Sequence, residues 1–216
     1  MKIKRFIYAV LFMFSTLCVS AQNWNLSWQA ETDYMAGTGD YLPFWARTGR
    51  NGIVPFSSSA LAIGGADLDF KSQKGWHLDA GVNLVGSLES RNPVNPDRVR
   101  GFVDRLYVSG GWKMMHLDVG MKPLERELSD LSISGGNVLW SQNARNIPGI
   151  NARLDWVYFE RGHWFGFKGN LAHYEMIDNR WVKGTKIHNK SLMLKLAAGR
   201  KVDFIFGVDH WAQWGG

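Results

Sequence analysis

The stretch "WHLDAGVNLVGSL" runs from Trp76 to Leu88. Trp76, Leu78, Ala80, Val82, Leu84, Gly86 and Leu88 occupy one phase, and His77, Asp79, Gly81, Asn83, Val85 and Ser87 the other. Successive side chains of a strand point to opposite faces, so a sustained period of two reads as a strand with one apolar face. Globular strands usually stop at about 5–6 residues. A tilted strand that crosses a bilayer needs about 9–11. This stretch is longer than either.

Other segments follow the same grammar. Trp24, Leu26, Trp28 and Ala30 alternate with polar residues, as do Met115, Leu117, Val119 and Met121. Leu192, Leu194 and Leu196 continue the pattern, and so do Val202, Phe204, Phe206 and Val208. The expected strands are 23–34, 60–71, 75–90, 101–110, 112–122, 151–161, 163–177, 188–199 and 201–213. "ALAIGGADLDF" changes apolar phase near Gly64-Gly65, which predicts a bulge or kink there. The connections alternate in length. Those at 35–59, 91–100, 123–150 and 178–187 are long or medium. Those at 72–75, 109–111, 161–163 and near 199–200 are tight. Sorting long connections to one side is the habit of outer-membrane barrels. The expected fold is therefore all-β, a transmembrane antiparallel β-barrel. Nine strands is an odd number, and an unclosed sheet leaves backbone groups unpaired in lipid. The chain thus reads as the N-terminal portion of a larger barrel, with a small eight-stranded barrel as the alternative.

The N-terminus carries an export address. Lys2, Lys4 and Arg5 precede the apolar run "FIYAVLFMFSTLCV", and Val19-Ser20-Ala21 supplies small residues for cleavage. Residues 1–21 read as a secretory signal peptide and 22–216 as barrel. Cleavage would remove the one cysteine, Cys18, so no disulfide is expected in the exported chain. The formal charge of +6 would fall to about +3, too mild a balance to point to nucleic acid.

"YLPFWARTGRNGIVP" (41–55), "MKPLERELSDLSISGGNVLWSQNARNIPGI" (121–150), "HNKSLMLKL" (188–196) and "WAQWGG" (211–216) resemble the capsule-assembly Wzi family of outer-membrane proteins. The block "SGG…SxNARxIP" is the most specific part. The chain departs from relatives at "KPLEREL", where they carry a glycine beside the glutamate in KERxGEL-like stretches. The resemblance implies an eighteen-stranded barrel, of which this chain supplies about half. It implies a location in the bacterial outer membrane, with loops at the cell surface and outer-membrane lipid around a monomeric barrel. It further implies attachment of capsular polysaccharide or exopolysaccharide, lectin-like and without enzymatic activity.

The residues themselves offer little for catalysis. His77, His116, His163, His173, His188 and His210 show no helical i, i+4 spacing of a zinc site and read as lumen or turn residues. Ser141 lacks a G-x-S-x-G elbow. No cofactor and no metal are expected. Glu125, Arg126 and Glu127 read as a salt-bridged rim cluster. "GTGD" (37–40) reads as a turn with positive φ. Binding is better served. The long connection 35–59 carries Trp45, Arg47, Arg50 and Asn51, with Tyr41 and Phe44 beside them. The connection 123–150 carries Trp140, Gln142, Asn143 and Arg145. Sugar rings stack on aromatics, and acidic sugars offer carboxylates that Arg can grip in two places. These eight residues are the candidate glycan site. The alternative for each is a plug folded into the lumen. A porin-like barrel and a barrel-embedded hydrolase are the rival functions.

Overall fold

The computed structural model describes residues 23–91, 97–123, 143–159, 164–177, 182–199 and 201–215. The leader, Ser141, Glu125, Arg126, Glu127 and His163 lie outside the described residues. Among the described residues, nine antiparallel strands form one open sheet in chain order. They are β1 (Trp24–Met35), β2 (Ser59–Lys71), β3 (Trp76–Glu89), β4 (Val99–Trp112), β5 (Met115–Met121), β6 (Gly149–Phe159), β7 (Phe165–Glu175), β8 (Lys186–Ala198) and β9 (Val202–Trp214). Every boundary falls within three residues of its expected place. One turn of helix, α1 (Phe44–Arg47), interrupts the first long connection.

The long connections 36–58, 90–98, 122–148 and 176–185 leave one edge, and 72–75, 113–114, 160–164 and 199–201 leave the other. The tight connection after β4 is Lys113-Met114, not 109–111. Ser109, Gly110 and Gly111 are strand residues paired to β3 and β5. Neither Gly37 nor Gly39 of "GTGD" takes a positive φ.

The two faces are distributed against the habit of a water-soluble sheet, which buries its apolar phase. Here Leu106 is 55% exposed and Val208 68%, while Asn83, Ser109 and Asp118 are buried. The apolar phase of β3 includes exposed Leu84 and Leu88, and its polar phase includes buried Asn83 and Ser87. The face carrying the polar phase is the inner face, and the other the outward face.

Pairing runs without interruption through Gly64 and Gly65, so the expected bulge in β2 is absent. The change of phase has another cause. Leu61 and Ile63 turn inward and pack with Val85, Ile53 and Phe102. Apolar residues occupy the inner face where the first long connection covers it. Register shifts among the described residues fall elsewhere, at Asn83/Leu84 against β4 and at Leu154/Val157 against β7. The first leaves Asp104 as an extra residue, and the second places Asp155 and Trp156 opposite one residue of β7.

The sheet is staggered. One row of paired residues starts at Leu26, near the tight edge of β1. It passes through Val108 and Ile150 and ends at Ala212, near the long edge of β9.

Candidate functional site

The first long connection is built to hold its shape. Leu42 and Val54 are its buried anchors, and the Leu42 N–H donates to the Phe56 carbonyl at 2.6 Å. Gly49, Asn51 and Gly52 all lie in the left-handed region, with φ of 72°, 50° and 65°. Asn tolerates that region better than most side chains, which gives Asn51 a turn role. Gly52 is required twice over. A Cβ there would strain the backbone and would lie 2.7 Å from the Asn143 carbonyl oxygen.

The candidate residues separate into two groups. Trp45 stands 76% exposed beside exposed Phe44 and Tyr41. Arg47, Arg50, Asn143 and Arg145 are engaged within the protein, and Asn51 sits in its turn. The Arg47 guanidinium lies 3.8 Å from the centre of the Phe56 ring. Arg50 is hydrogen-bonded to Asp33 and lies 3.6 Å from Glu31, both on β1. The Asn143 side-chain oxygen accepts from the Gly49 N–H and the Thr48 hydroxyl. The Arg145 guanidinium lies 3.8 Å over the Phe102 ring on the inner face. Next to it, the Asn146 amide donates to the Asp104 carbonyl at 3.1 Å. Trp140 and Gln142 lie outside the described residues. The two long connections thus meet over the inner face, and the aromatics of the first face outward from that framework.

A second constellation lies deeper on the inner face. Lys122 reaches Asp118 at 2.8 Å, the Ser109 hydroxyl at 2.9 Å and Asp79 at 3.3 Å. Ser109 donates to Asp118. Arg153 joins Asp118 at 3.1 Å to Asp155 at 2.8 Å. His116 contacts Asp155 at 2.8 Å through Nε2 and His77 at 2.8 Å through Nδ1. His77 and His116 belong to strands separated by β4. Gly111 is the residue of β4 that pairs with both, and without a side chain it leaves the rings room to meet.

This cluster alternates acid and base, so each buried charge has a partner. His116 with Asp155 is an acid–base pair, but the hydroxyl nearest the cluster, Ser109, is 0% exposed and held by Asp118 and Lys122. No group of three or more His, Cys, Asp or Glu side chains is arranged to hold a metal among the described residues. The polar phase of the strands signals each member of the cluster. Asp155 keeps the inward parity of Asn151 and Arg153, but their meeting across strands depends on register, which the sequence does not show.

No protein-family model, no curated protein and no solved structure matches the chain.

Proposed function

We propose that the chain is a portion of an outer-membrane β-barrel, akin to the capsule-assembly Wzi family, that retains capsular polysaccharide or exopolysaccharide at the cell surface without covalent chemistry. The observation that carries this reading is the inverted sheet, with apolar side chains outward and charged ones within. Such a distribution suits lipid outside and a polar interior within. The stagger agrees with it. With the two edges taken as level, the row from Leu26 to Ala212 shifts by roughly one residue per strand. At about 3.3 Å per residue and 4.8 Å between strands, that is a tilt of about 35°, within the range for membrane barrels.

The polysaccharide reading draws on the long-connection edge. Tyr41, Phe44 and Trp45 are exposed there, on a framework tied to the inner face by Arg50, Asn143 and Arg145. Stacking on sugar faces, not a guanidinium grip, is the chemistry left available by Arg47 and Arg50. The test is binding of purified capsule by the full-length protein, with weaker binding on Trp45→Ala. Unchanged surface capsule in a deletion strain would overturn the attachment reading.

A transport reading rests on a different feature, the charged inner face of β3 to β6. It predicts ion conductance in planar bilayers, where the attachment reading predicts little.

A further inference from the structure

The outward face changes character along β7, β8 and β9. Toward the tight edge it is apolar, with Leu196 between Phe165 and Phe204, and then Leu192 beside Val208. The next row toward the long edge pairs Lys190 with His210. The row after that pairs His173 with His188, and the last pairs Lys186 with Trp214. The rings cluster. Trp214 lies 5.4 Å from His173 and 6.0 Å from His188. Among the described residues one carboxylate shares the patch, Glu175, which pairs with Lys186. The neighbouring acid of β9, Asp209, is engaged by Asn189 at 2.6 Å and by Trp211 at 2.9 Å. On β1, β3 and β4 the outward face at the same edge carries Tyr34, Leu88 and Val99 instead. Among the described residues, the basic patch therefore has no counterpart on β1, β3 or β4.

On the membrane reading proposed above, this patch sits where an outward face passes from acyl chains to headgroups. Lysine can lay its methylenes along apolar neighbours such as Leu171 and Leu192 and raise its ammonium to the polar layer. Tryptophan favours the same level, and clustered cations there attract anionic headgroups. We infer that the outward face of β7 to β9 binds the phosphate groups of anionic lipid headgroups in the leaflet on the long-connection side. Lys186 and Lys190 supply the charge, and the His173–His188–Trp214 cluster supplies a flat polar-aromatic seat.

The test uses the full-length protein in phosphatidylcholine vesicles that contain a bis-phosphorylated glycolipid or its dephosphorylated form. Flotation on a density gradient reports membrane insertion. Mass spectrometry of the detergent-extracted protein reports retained lipid. The expected result is several-fold less phosphorylated lipid on the K186Q/K190Q double variant than on wild type. Lys74→Gln, on the tight edge, is expected to match wild type. Equal retention by the double variant, equal retention of the dephosphorylated lipid, or an equal loss with Lys74→Gln overturns the inference while leaving the membrane reading intact. Failure of wild type to float removes both.

Discussion

The side-chain oxygen of Asn143 accepts the Gly49 N–H at 2.7 Å, across 94 positions of sequence. With the Thr48 hydroxyl at 3.2 Å on the same atom, this ties the connection after β1 to the connection after β5. Neither connection is then an independent loop. Whatever binds the exposed aromatics of the first also feels the anchoring of the second.

Asn143→Ala removes both hydrogen bonds. The expected cost to the local fold is about 1–2 kcal/mol. It should show as faster proteolysis within 36–58, with the far-UV circular dichroism of the sheet unchanged. Gly52→Ala should behave alike, because its φ of +65° and the nearby Asn143 carbonyl both oppose a Cβ.

Trp45→Ala should weaken capsule binding by about tenfold, or roughly 1.4 kcal/mol, and leave the urea midpoint unchanged. The separation of the two effects follows from its 76% exposure. A fall in stability equal to the fall in binding would assign Trp45 to packing instead.

Lys122→Met takes from Asp79 the ammonium it has at 3.3 Å and leaves Asp118 to Arg153 and Ser109. Losing hydrogen bonds to charged groups in this way costs about 1.5–3 kcal/mol, to be read from urea unfolding in detergent micelles. Arg91→Ala provides the contrast. Its pairing with Asp40 at 2.7 Å involves side chains that are both 65% exposed, so its loss should cost at most about 1 kcal/mol.

Leu192→Arg separates a lipid-facing sheet from a water-facing one. Leu192 is 53% exposed. In water, such a surface change usually stays within about 0.5 kcal/mol. Near the midplane of a bilayer an Arg on the lipid face costs about 2–4 kcal/mol. Folding into vesicles, measured by urea titration, distinguishes the two values.

Much of this sheet was legible because alternation is written directly into β3, β5, β8 and β9. What misled was local. The apolar Leu61 and Ile63 resemble a slip of phase, yet they are inward residues beneath Ile53. The true bulges left only a partial mark. "VDRL" (103–106) and "LDWV" (154–157) break alternation by one residue, and propensity alone does not say which residue is the extra one. At the candidate site, the sequence marked residue types suited to sugars. It could not tell that Arg50 would be engaged by Asp33, or Arg145 by Phe102, because those partners are set by how the connections fold back.

The bulge at Asp104 gives β4 a property that unbulged β3 lacks. A strand with two unlike faces counts in twos, so loss of a single residue exchanges inside for outside along the remainder. Without Asp104, however, Val103 would still face outward, Arg105 inward and Leu106 outward. Position 104 is thus a place where this strand can shorten by one and keep its parity. What it would surrender is the carbonyl that receives Asn146. Strand length and loop anchoring are traded at one residue, and a single-codon deletion there would move the loop while sparing the wall.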